Sequence, residues 1–221
     1  MSARRRAAVA APRIEAPYLE RLADGSADDL RPRADLEAMQ VSEVRVEHLD
    51  LDGAVLTDVR LRDLAAHETD LGGARLTGVG LEGVDLTVVR ASRGQWRDVE
   101  VTGRLGSMEA YESRWRSVHL VGCKLGFVNL RGAELVDVAL TDCVVEELDL
   151  ADARLSRVRL SGTRVGRLDV RRSEMRDVDL RGATLSEVEG PMDLGGAVVT
   201  PEQLEALAPL LAAGIGLRVE P

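Results

Sequence analysis

The side chains in this sequence that could do chemistry are two cysteines, three histidines and many carboxylates. Cys123 and Cys143 are 20 residues apart, and no histidine or carboxylate is spaced to join them around a metal ion. His48, His67 and His119 lie far from one another in the chain. The sequence also has no phosphate-binding loop and no nucleophile motif. We therefore predict no catalytic residue, no cofactor and no metal, and a protein that is not an enzyme.

The carboxylates recur at regular intervals, which makes them candidates for binding. The net charge is −9, and residues 34–101 hold seven arginines against fourteen acidic residues. Every twentieth residue after position 109 gives a largely acidic series, and a basic series runs through Arg104, Lys124 and Arg164. Ion pairing between stacked charges would account for much of this surface. The acidic residues that we predict as a partner surface are Asp50, Asp70, Glu109, Asp149 and Asp169.

The elements that position these side chains follow from an apolar residue at every fifth position. Between residues 120 and 185 these positions are Leu120, Leu125, Leu130, Leu135, Leu140, Val145, Leu150, Leu155, Leu160, Val165, Val170, Met175, Leu180 and Leu185. The residue two before each of them is also small or apolar. A helix turns about 100° per residue, so a period of five cannot form one apolar face. The pattern instead predicts short strands with two inward residues each, separated by corners.

Four short strands and four corners close a coil of twenty residues, and such coils stack at about 4.8 Å. Side chains at i and i+20 should therefore lie above one another, and Cys123 should stack on Cys143. Their side chains would point the same way, which favours buried free thiols over a disulfide. The low aromatic content of 2% fits a narrow core.

The pattern is interrupted once, because Leu105 follows Val101 by four residues instead of five. The interruption is either a loop or a tightened corner. Trp96 and Trp115 are 19 residues apart across it, so the shortened coil predicts two stacked inward indoles. They would fill space beside a distorted coil or, less simply, line a ligand pocket near Tyr111.

The two ends lack the five-residue pattern. Residues 1–33 carry three of the seven prolines and are predicted to be a flexible lead-in or a cap in which Ile14, Tyr18, Leu19 and Leu22 cover the first coil. From Thr200 the sequence predicts a capping helix with Pro201 at its first position, followed by a short strand at Leu217 and Val219. Leu204, Leu207 and Leu211 are predicted to cap the last coil or to contact a second copy.

Segments such as Gly132–Leu135, Ala151–Leu155 and Gly182–Leu185 resemble pentapeptide repeats. The resemblance covers roughly residues 34–199 and implies a right-handed quadrilateral β-helix. The predicted fold is thus an all-β solenoid of about eight coils with a C-terminal capping helix in residues 200–221. Leucine-rich repeats are a poorer fit, since their unit is longer and their leucine spacing uneven.

Two functions are compatible with this sequence. The first is a scaffold that binds an unidentified protein partner, as a monomer or as a homodimer joined through the C-terminal end. The second is a DNA mimic that modulates DNA gyrase or another type II topoisomerase, which the resemblance implies for some family members. Direct nucleic-acid binding is not expected at this charge. No apolar run reaches the roughly 18 residues of a membrane span. The apolar stretch after Arg4–Arg6 is too short for a signal peptide, so we expect a cytoplasmic protein.

Overall fold

The structure, a computed structural model, describes residues 8–218. Its strands form one parallel sheet that winds into an all-β solenoid. They are β1 (Ala23–Asp24), β2 (Asp35–Ser42), β3 (Arg45–Asp50), β4 (Val55–Arg62), β5 (Ala65–Asp70), β6 (Arg75–Arg90), β7 (Gln95–Glu109), β8 (Arg114–Val121), β9 (Lys124–Asn129), β10 (Glu134–Thr141), β11 (Val144–Asp149), β12 (Arg154–Ser161), β13 (Arg164–Asp169), β14 (Glu174–Asp179), β15 (Thr184–Glu189) and β16 (Ala197–Val198). One α-helix, α1 (Pro201–Gly214), follows them, and short 3-10 turns lie at Ala27–Asp29 and Pro191–Asp193.

One turn of the solenoid shows how the five-residue pattern makes four sides. Strand β10 bends at Asp137, where φ is 58°. The chain turns again at Asp142 (φ 54°) and Asp152 (φ 59°), and β11 bends at Glu146, which has no register partner on either side. Three of these four corners contain a left-handed residue, a conformation that Asp, Asn and Gly adopt most readily. The predicted four-cornered coil is therefore confirmed.

Side chains twenty residues apart are stacked in register. Leu135 pairs with Leu155, and the N–H of Leu130 donates to the carbonyl of Asp149 in the next turn at 2.8 Å. Leu130, Leu150 and Val170 are all buried in one continuous apolar core. The stacked column of inward side chains that the sequence predicts is therefore present.

The solenoid has about nine turns, slightly more than the eight that we predicted. The additional length comes from the N-terminal end, where β1, outside the predicted range 34–199, pairs with β2. Each turn contacts only its neighbours, so the core is long and narrow rather than globular.

The interruption in the pattern is a tightened corner and not a loop. Strand β7 continues through it, and the register against β6 changes from Leu81↔Val101 to Val84↔Gly103. Gly103 has a φ of 123°, and a Cβ added there would lie 2.2 Å from the carbonyl oxygen of Val84. Only glycine allows the two backbones to approach this closely.

The C-terminal helix covers the last turn. Thr200 is its N-cap and accepts a hydrogen bond from the N–H of Gln203 at 3.2 Å. The Gln203 side chain donates to the carbonyls of Leu180 (2.8 Å) and Ala183 (2.7 Å), two groups at the end of the solenoid. The helix ends at Gly214, and the left-handed Gly216 follows it, with its N–H donating to the carbonyl of Ala213 at 3.0 Å.

The strand predicted after the helix is not seen at Leu217, which has no regular secondary structure. Val219 lies outside the described residues, so that part of the expectation stays a prediction. No helix within residues 8–218 has the length and apolar character required to cross a membrane.

The N-terminal segment lies along the outside of the solenoid. We call residues 8–22 the strap. Its N–H groups donate to side chains of three different turns: Ala10 to Asp177 (3.1 Å), Arg13 to Asp137 (2.9 Å) and Glu15 to Ser117 (2.8 Å). Nearer the first turn, Arg60 donates to the carbonyl of Leu19 at 3.1 Å. The strap therefore runs parallel to the long axis.

Alternate strap residues face the solenoid, as in an extended strand. Ile14, Leu19 and Leu22 are half-buried, whereas Tyr18 is 73% exposed. Leu19 packs beside Gly80, which lies three turns from the start of the sheet. The strap thus places these residues on the side of several turns rather than over the open end of the first.

Candidate partner-binding surfaces

The five acidic residues predicted as a partner surface lie in a single column. We call it the acidic column; register pairing places its members in the order Asp50, Asp70, Arg90, Glu109, Asn129, Asp149, Asp169 and Glu189. The structure therefore brings the predicted residues onto one side of the solenoid. Arg90 and Asn129 interrupt the negative charge.

Most of these side chains hold the corner that follows them. The N–H of the residue two positions later donates to Asp50 (3.0 Å), Asp70 (2.8 Å) and Asp149 (2.9 Å), and Asp169 is bonded in the same way. This is an Asx turn, in which the carboxylate stands in for a backbone carbonyl. The column therefore has a structural role whether or not it also meets a partner.

Arginines neutralise the C-terminal half of the acidic column. Arg131 approaches Asp149 at 2.7 Å and Asp169 at 3.9 Å, and Arg171 forms a two-pronged pair with Asp169. Asp149 and Asp169 are 7% and 4% exposed. Burial acts to raise the pKa of Asp169, but its bonds to Arg171 and the charge of Arg131 outweigh burial and hold that pKa below its ordinary value.

The N-terminal half of the acidic column keeps its charge. Asp50 is exposed and Asp70 half-buried, and they are direct register neighbours. Within residues 8–218 no arginine, lysine or histidine lies within 4.0 Å of either carboxylate, nor of the exposed Glu109. The free negative charge of the column is thus concentrated in Asp50, Asp70 and Glu109.

A group of four arginines lies on another side of the solenoid, and the sequence reading missed it. We call Arg75, Arg97, Arg114 and Arg116 the arginine patch. Arg97 pairs in register with Arg116, while Gln95 separates Arg75 from Arg114. The spacing from 97 to 116 is 19 residues because of the shortened turn, so counting in steps of twenty does not align them.

The arginine patch surrounds a shallow depression of about 310 Å³. Its lining also includes Thr77, Gln95, Glu134 and Val136, as well as the two tryptophan residues, Trp96 and Trp115. A depression rimmed by guanidinium groups is suited to anionic groups, because each guanidinium donates several hydrogen bonds from a planar fork.

The two tryptophans lie beneath the patch, stacked as predicted. The ring centroids of Trp96 and Trp115 are 5.0 Å apart with an interplanar angle of 10°, and each residue is 2% exposed. Within the described chain, neither indole Nε1 has a hydrogen-bond acceptor. An unsatisfied buried donor costs about 1–3 kcal/mol, so packing of the rings must offset this cost.

Arg114 and His119 follow Tyr111 closely in the sequence, but the structure separates them. Arg114 lies before the bend of β8 at Ser117, and His119 lies after it, so they occupy different sides of the turn. His119 is bonded to Thr141 at 2.9 Å, and burial lowers its pKa below the ordinary value. Arg114 lines the depression beside the arginine patch, whereas His119 does not.

The two cysteines are buried free thiols, as predicted. Cys123 donates to the carbonyl of Val101 (3.2 Å), and Cys143 donates to that of Leu120 (3.4 Å). A hydrogen bond with Cys143 and burial raise the pKa of Cys123, so this sulfur stays protonated. No group of three or more metal-binding side chains occurs between residues 8 and 218.

The C-terminal helix has both a buried and an exposed apolar side. Leu207 is 6% exposed and Leu211 packs partly against the core, so both cap the last turn. Leu204 instead is 51% exposed, and Leu210 and Ile215 are exposed as well. Two of the three predicted leucines therefore cap the last turn, and a contact of Leu204 with a second copy stays a prediction.

Comparison with known proteins agrees with this architecture. The family model for pentapeptide repeats matches residues 42–78 and 153–188, with eight copies of the repeat. No curated protein sequence matches this chain.

Among solved structures, the chain is similar to two trypsin-treated forms of QnrB1, a plasmid-mediated fluoroquinolone resistance protein. The first is 14% identical and has a TM-score of 0.28, covering 85% of this chain and 97% of the other. The second is 15% identical with a TM-score of 0.27, covering 84% of this chain and 90% of the other. At such TM-scores the likeness supports no conclusion about partner or activity.

Proposed function

We propose that this chain, a pentapeptide-repeat protein, is a non-enzymatic module that binds a protein partner. The observation that carries the proposal is the fixed columns of outward side chains on one continuous apolar core. Residues held by both neighbouring turns lose little conformational entropy when a partner binds. The flat sides of the solenoid are therefore preorganised binding surfaces.

The titratable groups support binding rather than catalysis. Asp149 and Asp169 hold corners and ion pairs, and the cysteines are buried with Cys123 kept protonated. A catalytic group needs access to substrate and a matched partner, which these groups lack. Free buried thiols also fit the cytoplasmic location that we include in the proposal.

Affinity capture tests this function. The immobilised chain should retain a specific protein from a cytoplasmic extract, and the purified pair should bind reversibly at a fixed stoichiometry. A Leu150→Asp variant, expected to lose the solenoid, is the control for adhesion to unfolded protein. If the folded chain retains nothing beyond this control, the proposed function is wrong.

A second candidate is a DNA mimic that modulates a type II topoisomerase. The observation that favours it is the unneutralised pair Asp50 and Asp70 on adjacent turns, within the acidic stretch of residues 34–101. Regular negative charge on a narrow rod could occupy a surface shaped for the phosphate backbone. The arginines that neutralise Asp149 and Asp169 confine this resemblance to the N-terminal half.

A gyrase supercoiling assay separates the two candidates. A DNA mimic should inhibit supercoiling or protect gyrase from quinolone-induced cleavage, and Asp50→Asn with Asp70→Asn should weaken the effect while keeping the corner bonds. The control is Glu134→Gln with Glu174→Gln, an equal charge change at exposed positions on another side. No effect of the wild-type chain at micromolar concentration would remove the second candidate.

The exposed residues of the helix allow the chain to be either a monomer or a homodimer through its C-terminal end. Leu204, Leu210 and Ile215 form the apolar surface that a second copy would cover. Sedimentation of the wild-type chain beside Leu204→Glu distinguishes the two states. A mass that is unchanged by the substitution and equal to one chain would establish the monomer.

A further inference from the structure

The arginine patch differs from those columns of the C-terminal solenoid in which opposite charges meet across turns. Asp137 faces Arg157 at 2.5 Å, and Arg154 faces Glu174 at 3.8 Å in the column that also contains Arg114. Such pairs stabilise adjacent strands slightly, whereas like charges directly opposite each other destabilise them. In the patch, Arg97 and Arg116 are direct register partners of the same charge.

The charge of the patch is not neutralised by the chain itself. Within residues 8–218, no carboxylate lies within 4.0 Å of a side-chain nitrogen of Arg75, Arg97 or Arg116. Arg114 reaches Glu134 only at 4.0 Å, and both side chains are more than half exposed. A feature that breaks a local rule without an evident structural gain is expected at a functional site.

We propose that the arginine patch is the surface through which the chain binds its partner, and that the bound element is a short acidic segment of a protein. This inference rests on the proposed function, which it makes specific by assigning the side of the solenoid and the chemistry of the partner. Arg104 and Lys124 are another like-charged register pair, but the arginine patch gathers four guanidinium groups around one depression.

The dimensions of the patch fit an extended acidic peptide. Arg114 and Arg116 are two residues apart on one strand, about 6.6 Å, and alternate residues of an extended peptide have the same separation. Arg97 lies one turn away, about 4.8 Å, and Arg75 is about 9.6 Å from Arg114. Carboxylates on alternate residues can each accept two hydrogen bonds from a guanidinium fork.

The surroundings of the patch disfavour nucleic acid. Asp98 follows Arg97 directly, and Glu134 continues the column after Arg114, so a longer polyanion would meet carboxylates on both sides. Trp96 and Trp115 are buried and offer no surface on which bases could stack. A duplex also requires more phosphate contacts than four arginines provide.

The test compares two matched double variants by fluorescence anisotropy. Arg97→Gln with Arg116→Gln removes the paired charges of the patch. Arg154→Gln with Arg176→Gln makes an equal charge change in the same two columns, outside the patch. The probe is a dye-labelled ten-residue peptide that alternates glutamate and serine, measured at low and physiological salt. The indole emission of the chain gives a second signal, because its two tryptophans lie beneath the patch.

We expect saturable binding to the wild-type chain, weakened at least about tenfold by the patch variant and less than about twofold by the control. The patch variant should melt at the same temperature as wild type or slightly higher, since it relieves repulsion between like charges. No binding by the wild-type chain, or equal losses in both variants, would overturn the inference.

Two further measurements compare the acidic peptide with other ligands and with a captured protein partner. Tighter binding of a DNA duplex or of tripolyphosphate than of the acidic peptide would overturn the assignment to an acidic protein segment. If a captured protein partner binds the patch variant with the same affinity as the wild-type chain, the assignment of the patch as the binding surface is wrong, while the proposed function stands. Failure to capture any partner bears on the proposed function alone, since the peptide assay needs none.

Discussion

Single residues at the corners decide how closely the turns of this solenoid can approach. At most corners a left-handed Asp or Gly is sufficient, and at some corners a carboxylate that precedes the left-handed residue also accepts a hydrogen bond from an N–H within the corner. At Gly103 the requirement is stricter, because the turn that contains it has lost one residue and its backbone lies against Val84. This corner therefore has no tolerance for a side chain.

Replacing Gly103 by alanine should destabilise the protein by about 2–4 kcal/mol, through backbone strain and overpacking together. The matched control is Gly122→Ala, at a corner with a φ of 60° and nothing within 4 Å of the added Cβ. That variant should lose only about 1–2 kcal/mol, the cost of the left-handed conformation. Chemical denaturation of both variants measures the difference, and equal losses would show that Val84 can move away.

The pair formed by Asp137 and Arg157 should make stability depend on pH. Hydrogen bonding from Arg157 holds the pKa of Asp137 below its ordinary value, and the N–H of Arg13 acts in the same direction. A carboxyl with a lowered folded-state pKa contributes stability above its ordinary pKa, and this contribution is lost as the pH falls through the folded-state pKa. The stabilising effect of Asp137 should therefore be complete at neutral pH and vanish in acid.

Asp137→Asn measures this contribution and keeps the left-handed corner, which asparagine also tolerates. At neutral pH the variant should be less stable by about 1–3 kcal/mol. The difference from wild type should shrink as the pH is lowered below about 4. Arg157→Gln should shrink the pH dependence in the same way, since its guanidinium is the main cause. A stability difference that stays constant from neutral pH to strong acid would contradict this account.

At the scale of elements, the strap couples turns that do not otherwise touch. In a solenoid each turn contacts only its neighbours, so a terminal turn can open without the rest. The strap bonds to Asp177, Asp137 and Ser117, which belong to turns spread over much of the length. It should therefore raise the cooperativity of unfolding.

Arg13→Pro tests the strap, because proline removes the N–H that donates to Asp137. Loss of a hydrogen bond to a charged acceptor should cost about 1.5–3 kcal/mol. Arg13→Ala keeps the N–H and is the control, with an expected loss below about 0.5 kcal/mol. Thermal melts and limited proteolysis within the strap give the two readouts. Equal behaviour of the proline and alanine variants would show that the strap is not held through this bond.

At the scale of the whole molecule, the sequence was sufficient to predict the coil but not to predict which side chains cluster on its surfaces. The five-residue period predicts the inward residues from Leu36 to Leu185 because core packing depends on local spacing. The arginine patch was missed because its alignment depends on the missing residue beside Gly103, which moves every column by one. The strap was missed because its bonds join residues more than 100 positions apart, and no local pattern encodes them.

The acidic column shows a different limit. Its alignment followed from the twenty-residue step, yet the neutralisation of Asp149 and Asp169 depends on arginines one or two positions from the next corner. Side-chain direction decides whether such an arginine reaches the carboxylate or the solvent, and spacing alone does not specify it.

A charge placed in the core should disrupt the molecule as a whole, because the nine turns share one core and the strap joins distant turns. Leu150→Asp would bury an unpaired carboxylate in apolar surroundings, where no polar group can pair with it. Such a change costs several kcal/mol. We expect the β-type circular dichroism and the cooperative melt to be lost. Val144→Asp is the control, since Val144 lies in the same turn but is 36% exposed and next to Lys124 and Arg164. An unchanged melt for Leu150→Asp would contradict an inward Leu150 and, with it, the stacking of side chains twenty residues apart.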